Sequence, residues 1–281
     1  MGVSAKNVKT IRNQPGVVFN EKGHIYTING EKTNGSFSSV KGILNADALR
    51  FWAVNMTADY FGGKLNKEAK GEDDKWETKP AFLPDRVYTS EEINSMVEAA
   101  RASSNKASRG AMDEGSRAHK WIDAYWSTPD KKSLVMPTEP PVLKSIEIFL
   151  AWVTDHNVKP IQVEWSFVHQ IEKDLKIGCG MDLLAEVDGE VAVVDYKRSK
   201  DVYMEHYLQT AEYPAAAIHE KILTGIKLKD IRRIMLLLPP KGDGMGAVEL
   251  LTPIERDAEI FIHLARAWQK IEALKKEAGL R

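Results

Sequence analysis

Gly180-Met181-Asp182-Leu183-Leu184-Ala185-Glu186-Val187-Asp188-Gly189-Glu190-Val191-Ala192-Val193-Val194-Asp195-Tyr196-Lys197 decides how the rest of the chain is read. Two apolar runs flank the pair Asp188-Gly189. An Asp-Gly pair in that setting is the strongest short-range signal for a β-hairpin with a two-residue turn. With that turn Val187 faces Glu190, and the same register sets Asp182 opposite Asp195. Opposed residues of a hairpin have Cβ atoms roughly 4.5–5.5 Å apart. Two like charges there repel, and one carboxyl is held protonated, unless a cation lies between them. Lys197 follows Asp195 by two residues and so points to the same face. Facing carboxylate oxygens suit a hard divalent ion, Mg²⁺ or Mn²⁺. An ammonium beside them suits hydrolysis of a phosphodiester, where negative charge builds up.

The alternative is a surface hairpin with paired charges. Strand composition speaks against it. Ala192, Val194 and Tyr196 line one face, and Val191 and Val193 the other. A strand apolar on both faces is central and buried, and buried carboxylates need partners or a metal.

Asp182 followed by Asp195-Tyr196-Lys197 resembles the signature of the PD-(D/E)XK nuclease superfamily. Upstream, Gly115-Ser116-Arg117-Ala118-His119 falls in a segment that reads as helix; downstream, Gln209-Thr210-Ala211-Glu212-Tyr213 falls in another. The order His, Asp, Asp-x-Lys, Gln-x-x-x-Tyr is similar to the RecB-like exonuclease branch, which includes phage exonucleases and the mitochondrial genome-maintenance exonuclease. The pattern spans roughly residues 38–238 and is most specific over 164–213. Three residues depart from it. Met181 stands where the superfamily's name implies Pro, Arg198 follows the Lys where many relatives have Thr, and Pro214 directly follows Tyr213.

The resemblance implies an α/β, restriction-endonuclease-like fold: a mixed central sheet flanked by helices, with an N-terminal helical elaboration. Residues 1–158 would form a hairpin and helical region contributing one site residue, and 159–281 the nuclease core, in one compact unit. It implies a Mg²⁺- or Mn²⁺-dependent deoxyribonuclease, an exonuclease of recombination, repair or phage DNA processing. Asp182, Asp195, His119 and the Tyr196 carbonyl would hold the metal, and Lys197 would act on the attacking water and the developing charge. The partner is DNA, single-stranded or at duplex ends, with a recombinase or single-strand-annealing protein as a further partner. Two other readings stay open: a silent nucleic-acid-binding protein on the same scaffold, and a small-molecule metallohydrolase.

Composition sets bounds. The chain has 281 residues, 43% of them hydrophobic, enough for one sizeable core. Its net charge of −1 gives no global basic signature, so phosphate binding would need a local stripe. The single cysteine, Cys179, leaves no internal disulfide and no four-cysteine iron–sulfur cluster. It sits between two glycines and reads as a packing residue. No stretch approaches the roughly 18 apolar residues of a membrane helix, and the N-terminus lacks a secretory pattern. A cytoplasmic location with no membrane partner is expected.

Along the chain, 24–28 alternates and runs into the turn pair Asn29-Gly30. Ser38 or Ser39 can cap a helix over 40–45, and a second helix reads over 47–61. Residues 62–88, charged and poor in apolar anchors, read as a long loop, a linker or a flap over substrate. Ser90-Glu91-Glu92 opens a helix to about 108, Gly110 interrupts, and another helix runs to about 126. A helix to about 155 and a strand over 161–168 precede the hairpin. A helix over 202–220, strands over 231–238 and 247–251, and a helix from Pro253 to about 278 follow.

Single residues carry alternatives. His119 shares a helix face with Gly115, Ile122 and Trp126, which points it inward, as a core histidine or as a metal ligand. Glu164 lies one strand before the hairpin, where the resemblance implies a residue that binds metal through water or orients Lys197; otherwise it lies on the polar face of an edge strand. Gln209 and Tyr213, four apart, share a helix face and can bond a phosphate or hold Lys197, or belong to an ordinary amphipathic helix. Tyr203, His206 and Tyr207 are equally core or substrate-facing. Arg101, Lys106, Arg109, Arg117 and Lys120, with Arg198 and Lys200, are the candidate phosphate-tracking cations, or else a solvated face. Trp76, Trp121 and Trp126 are candidates for base stacking or core.

Overall fold

The computed structural model describes residues 3–10, 14–44, 67–70, 76–78, 87–239 and 246–280, with backbone alone at 7, 10, 22, 67–70, 76–78, 101–108 and 111. The chain divides into two compact units, 1–43 with 115–281, and 44–114. The whole of 159–281 lies in the first.

The strands are β1 Lys9–Thr10, β2 Val17–Asn20, β3 Ile25–Ile28, β4 Glu31–Lys32, β5 Gly35–Ser36, β6 Lys67–Lys70, β7 Trp76–Thr78, β8 Val158–Glu172, β9 Leu175–Val187, β10 Glu190–Lys197, β11 Leu223–Thr224, β12 Arg232–Leu237 and β13 Ala247–Glu249. The α-helices are α1 Phe37–Lys41, α2 Ser90–Ser127, α3 Pro140–Asp155, α4 Met204–His219 and α5 Ile254–Glu277. The main sheet is mixed. Its order is β13-β12-β10-β9-β5, and β8 pairs β9 as well. β10 runs parallel to β12, which requires a crossover, and α4 lies in that connection.

Helices cover both faces. One core packs β8–β10 side chains such as Trp165, Met181 and Val193 against Phe37 of α1, Leu208 of α4 and Phe261 of α5. The other packs Leu183, Ala192, Val194 and Tyr196 against Ile122 of α2 and Phe149 and Trp152 of α3. β10 is central and apolar on both sides, as its composition requires.

The predicted hairpin is present. Glu190 pairs with Val187 across Asp188 and Gly189, whose φ angles of 54° and 91° are those of a type I′ turn. The ladder closes at Val194↔Leu183, one pair short of Asp195 and Asp182. Beyond that point β10 stays paired to β12 while β9 stays paired to β8. β8 occupies one edge of β9 throughout, so β10 and β5 share the other. β5 pairs Ile177 and Gly178, which among the described residues leaves 179–182 as an unpaired stretch of that edge. The site lies at this parting of strands.

A second irregularity coincides with it. Glu164 of β8 has φ 44°, unusual for a residue with a Cβ. It lies between the pairs Trp165↔Met181 and Val163↔Leu183, hence opposite Asp182. Trp165 and Met181 face one core, Val163 and Leu183 the other. The alternation of both strands therefore slips by one residue where the two carboxylates sit.

Several boundaries differ from expectation. α2 is continuous from Ser90 to Ser127: Gly110 costs a helix about 1 kcal/mol relative to alanine and does not break a long one. α1 starts earlier than expected, with Ser36 as its N-cap, and Ser39 Oγ accepts from the Ser36 N–H at 3.2 Å. Pro214 sits inside α4, which carries on to His219. Residues 62–88, read as a loop, contain the antiparallel pair β6–β7, whose strands are too short and too charged to show alternation. The helix expected over 47–61 lies outside the described residues, as do the side chains of Trp76, Arg101 and Lys106.

Candidate metal and hydrolytic site

Asp182 and Asp195 meet the parting of β9 and β10 in different ways. Asp182 Oδ2 accepts from the Tyr196 N–H at 2.9 Å, so a side chain takes the place of the lost strand partner. Asp195 is 2% exposed and faces α4. Its Oδ1 accepts from Gln209 Nε2 at 2.8 Å, and its Oδ2 lies 2.6 Å from Lys197 Nζ. That second contact is close but poorly aligned: Oδ2 has no well-directed hydrogen bond among the described residues.

The electrostatics follow from this crowding. Burial pushes the Asp195 carboxyl up to about 6; Lys197 opposes the shift and Asp182 adds to it. Burial works against the Lys197 ammonium, yet Asp195 and Asp182 together outweigh it and hold Lys197 above its ordinary value. Lys197 is therefore a fixed positive charge at neutral pH.

His119 arrives from α2 on the opposite face. Its Nε2 lies 3.0 Å from the Tyr196 carbonyl oxygen, and its Nδ1 is 3.9 Å from Asp182 Oδ2. A carbonyl only accepts, so Nε2 carries the proton; in the neutral ring Nδ1 then turns a lone pair toward the carboxylate. Two lone-pair donors facing each other are the arrangement a cation satisfies. Glu164 joins them: His119, Glu164 and Asp182 each offer a ligand atom within 4.8 Å of the others. The Glu164 side chain reaches solvent, yet the protein around it drives its carboxyl up to about 8 by desolvation, with Asp182, Asp123, Asp195 and Glu21 repelling it further. Because solvent screens an exposed group, the direction of that shift and the carboxylates behind it are what matter, not an energy. One imidazole among carboxylate oxygens fits a hard divalent ion, and the chemistry of this donor set agrees with Mg²⁺ or Mn²⁺.

The predicted residues thus fall into groups. His119, Glu164 and Asp182 converge on one point. Asp195, Lys197 and Gln209 form an adjoining cluster, electrostatically coupled to the first through Asp182. The Tyr196 carbonyl accepts from His119, while its ring is buried among Trp126, Phe149 and His119. Tyr213 is 6% exposed and packs edge-on against Phe37 and Phe167 in the core. Trp121 and Trp126 are half-buried, their indole N–H groups donating to the Val135 carbonyl and the Tyr196 hydroxyl.

Among the cations, Arg117 pairs with Glu139 at 2.7 Å and Lys120 with Glu21 at 3.5 Å. The Arg198 stem passes 3.6 Å from where a Cβ on Gly115 would stand, an ordinary packing distance. Lys200 is exposed, and Arg109 is exposed in the second unit.

Two neighbours, Tyr26 and Lys41, were not singled out in the sequence, and a third, His206, was read there as core or substrate-facing. A Cβ on Gly178 would come within 2.2 Å of the Tyr26 ring, and one on Gly180 within 2.8 Å of its hydroxyl. Tyr26 thus lies over the face of β9 at its two glycines, and Asp182 and Glu164 are near enough to help burial raise its hydroxyl pKa. Its signal was the Gly-x-Gly spacing, since a glycine inside a strand marks a close approach. Lys41, at the end of α1, is lowered by burial and by Lys197, with Glu205 and Asp195 opposing. His206 is lowered to about 4 by burial and then Lys197, and its Nδ1 accepts from the Tyr203 N–H at 3.1 Å.

No protein-family model matches the chain, and no curated protein matches it either.

Proposed function

We propose that the chain is a divalent-metal-dependent DNA nuclease with a PD-(D/E)XK core of the RecB-like kind, acting at DNA ends in recombination, repair or phage DNA processing. The observation that carries this reading is the parting of β9 and β10, where Asp182, Asp195, Glu164, His119 and Lys197 are gathered although four different elements supply them. Asp182, Glu164 and His119 would hold the ion, with Asp195 beside them. When bound, the ion would polarise the phosphate and lower the pKa of an attacking water. Lys197, protonated and anchored by Asp195, places its charge where the pentavalent phosphorus gains negative charge. Gln209 holds the second Asp195 oxygen and so fixes the Asp195–Lys197 geometry. Tyr213 supports that helix from the core and takes no part in contacting phosphate.

End-labelled single- and double-stranded DNA, incubated with Mg²⁺, Mn²⁺ or EDTA, tests the proposal. Release of label that requires Mg²⁺ or Mn²⁺ is expected. Intact DNA under every divalent-ion condition would overturn it.

A further inference from the structure

A second group of ligating side chains lies away from the parted strands. His169 of β8, His219 at the end of α4 and Glu220, its C-cap, each offer a ligand atom within 4.8 Å of the others. His169 pairs with Ile177 of β9, five residues along β8 from Glu164, so the two groups are roughly 17 Å apart along the strand.

The surroundings of His169 are built in a particular way. Its Nδ1 lies 2.6 Å from Glu212 Oε1, and both side chains are buried. A ligating histidine almost always gives its other ring nitrogen to a carboxylate, which fixes the ring and its tautomer. With Nδ1 held by Glu212, Nε2 is left as the ligand atom. Glu212 Oε2, fully buried, has no hydrogen-bond partner among the described residues, an oddity in a closed core. Glu212, His219 and Glu220 are seven and eight residues apart and so share one face of α4. His219 Nδ1 lies 3.0 Å from Glu220 Oε1, and the same oxygen accepts from the Gln170 N–H at 2.9 Å. The His169 and His219 rings stand 5.0 Å apart. The carboxyl-terminal end of a helix, with its unsatisfied carbonyls, also favours a cation.

We propose that His169, His219 and Glu220 form a second metal site, for a borderline transition ion such as Zn²⁺, that clasps the end of α4 to β8. Two imidazoles and one carboxylate are a zinc donor set, while Mg²⁺ favours a set in which oxygen predominates. Glu212 is the positioning residue. The clasp secures the far end of the helix that carries Gln209, ten residues or about 15 Å away. It does not depend on the nuclease proposal.

The test uses the full chain stripped with EDTA, with Zn²⁺ alone titrated against a chromophoric chelator. Wild type, Asp182→Asn, His219→Ala and Glu212→Gln are compared. His219 is exposed, so its replacement spares the core. Asp182→Asn should keep a tight Zn²⁺ site and a melting temperature that rises with Zn²⁺. His219→Ala should lose both, and Glu212→Gln should weaken binding about 10–100-fold. Undiminished Zn²⁺ binding by His219→Ala would overturn the proposal. So would a wild type without tight binding, or one whose only tight site disappears in Asp182→Asn.

Discussion

Two ion pairs anchored on neighbouring strands of this sheet are built for opposite ends. Arg233 of β12 is 2% exposed and fully engaged: it donates to Asp257 at 2.9 Å, to the Tyr207 carbonyl at 3.1 Å and to Thr252. Asp257 accepts from Arg256 and Thr252 as well. Burial alone would raise the Asp257 carboxyl, but Thr252, Arg233 and Arg256 outweigh it and hold it below the ordinary value. Asp195 and Lys197 of β10 are as closely placed, yet among the described residues one Asp195 oxygen lacks an aligned donor, a second carboxylate stands nearby, and the Asp195 carboxyl is raised. A charge pair whose partners are all satisfied contributes to the fold. One left with unsatisfied, mutually repelling groups is poised for a cation, and such perturbed groups cluster at functional sites.

Breaking the satisfied pair should have the largest effect on stability. Asp257→Ala leaves Arg233 buried without its carboxylate and should cost about 3–5 kcal/mol, read by urea denaturation. Lys197→Ala should cost far less, because Asp195 can take up a proton instead. An equal loss in the two variants would erase the distinction.

Activity should reverse that ranking. Lys197→Ala is expected to lower turnover on DNA by about 10²–10³-fold, while DNA binding measured in Ca²⁺ stays near wild type. Near-native turnover would remove Lys197 from the chemistry.

Asp182→Asn sharpens the contrast further. Calorimetry should show loss of Mn²⁺ binding, while stability in EDTA is unchanged or higher by about 0.2–1 kcal/mol, since repulsion is relieved. A variant that binds Mn²⁺ like wild type would place the ion elsewhere.

The smallest effect is in the pH dependence, where the two pairs have opposite signs. In EDTA, Asp195 holds its proton more tightly folded than unfolded. Its contribution is therefore present at low pH and lost as pH rises from its unfolded value of 3.8 to about 6. Asp257 contributes stability above its unfolded value, lost as pH falls through its lower folded one. Melting temperatures across this range should decline less steeply with rising pH in Asp195→Asn than in wild type. Any part due to Glu164, whose carboxyl is raised as well, would remain and has the same sign. Parallel curves would mean that Asp195 is not raised.

What was legible in the residues was local. Turn chemistry at Asp188-Gly189 and two-residue alternation determine the hairpin register, because both depend only on near neighbours. The same periodicity placed α3, α4, α5, β12 and β13 to within a few residues, and it brought Asp182, Asp195 and Lys197 together as a group. Tertiary packing decided the rest. The ladder ends one pair early because β10 is held by β12 and β9 by β8, and the two strands part. Glu164 joins His119 and Asp182 through a left-handed backbone angle that no alternation pattern encodes. Gln209 and Tyr213 share a helix face in the sequence. Phe37 and Phe167, far away in the chain, determine that Tyr213 packs in the core while Gln209 reaches Asp195. Tyr26 and Lys41 come to the site from the N-terminal segment for the same reason. Periodicity records which face of an element is apolar; which distant residue covers that face is settled only when the chain closes on itself.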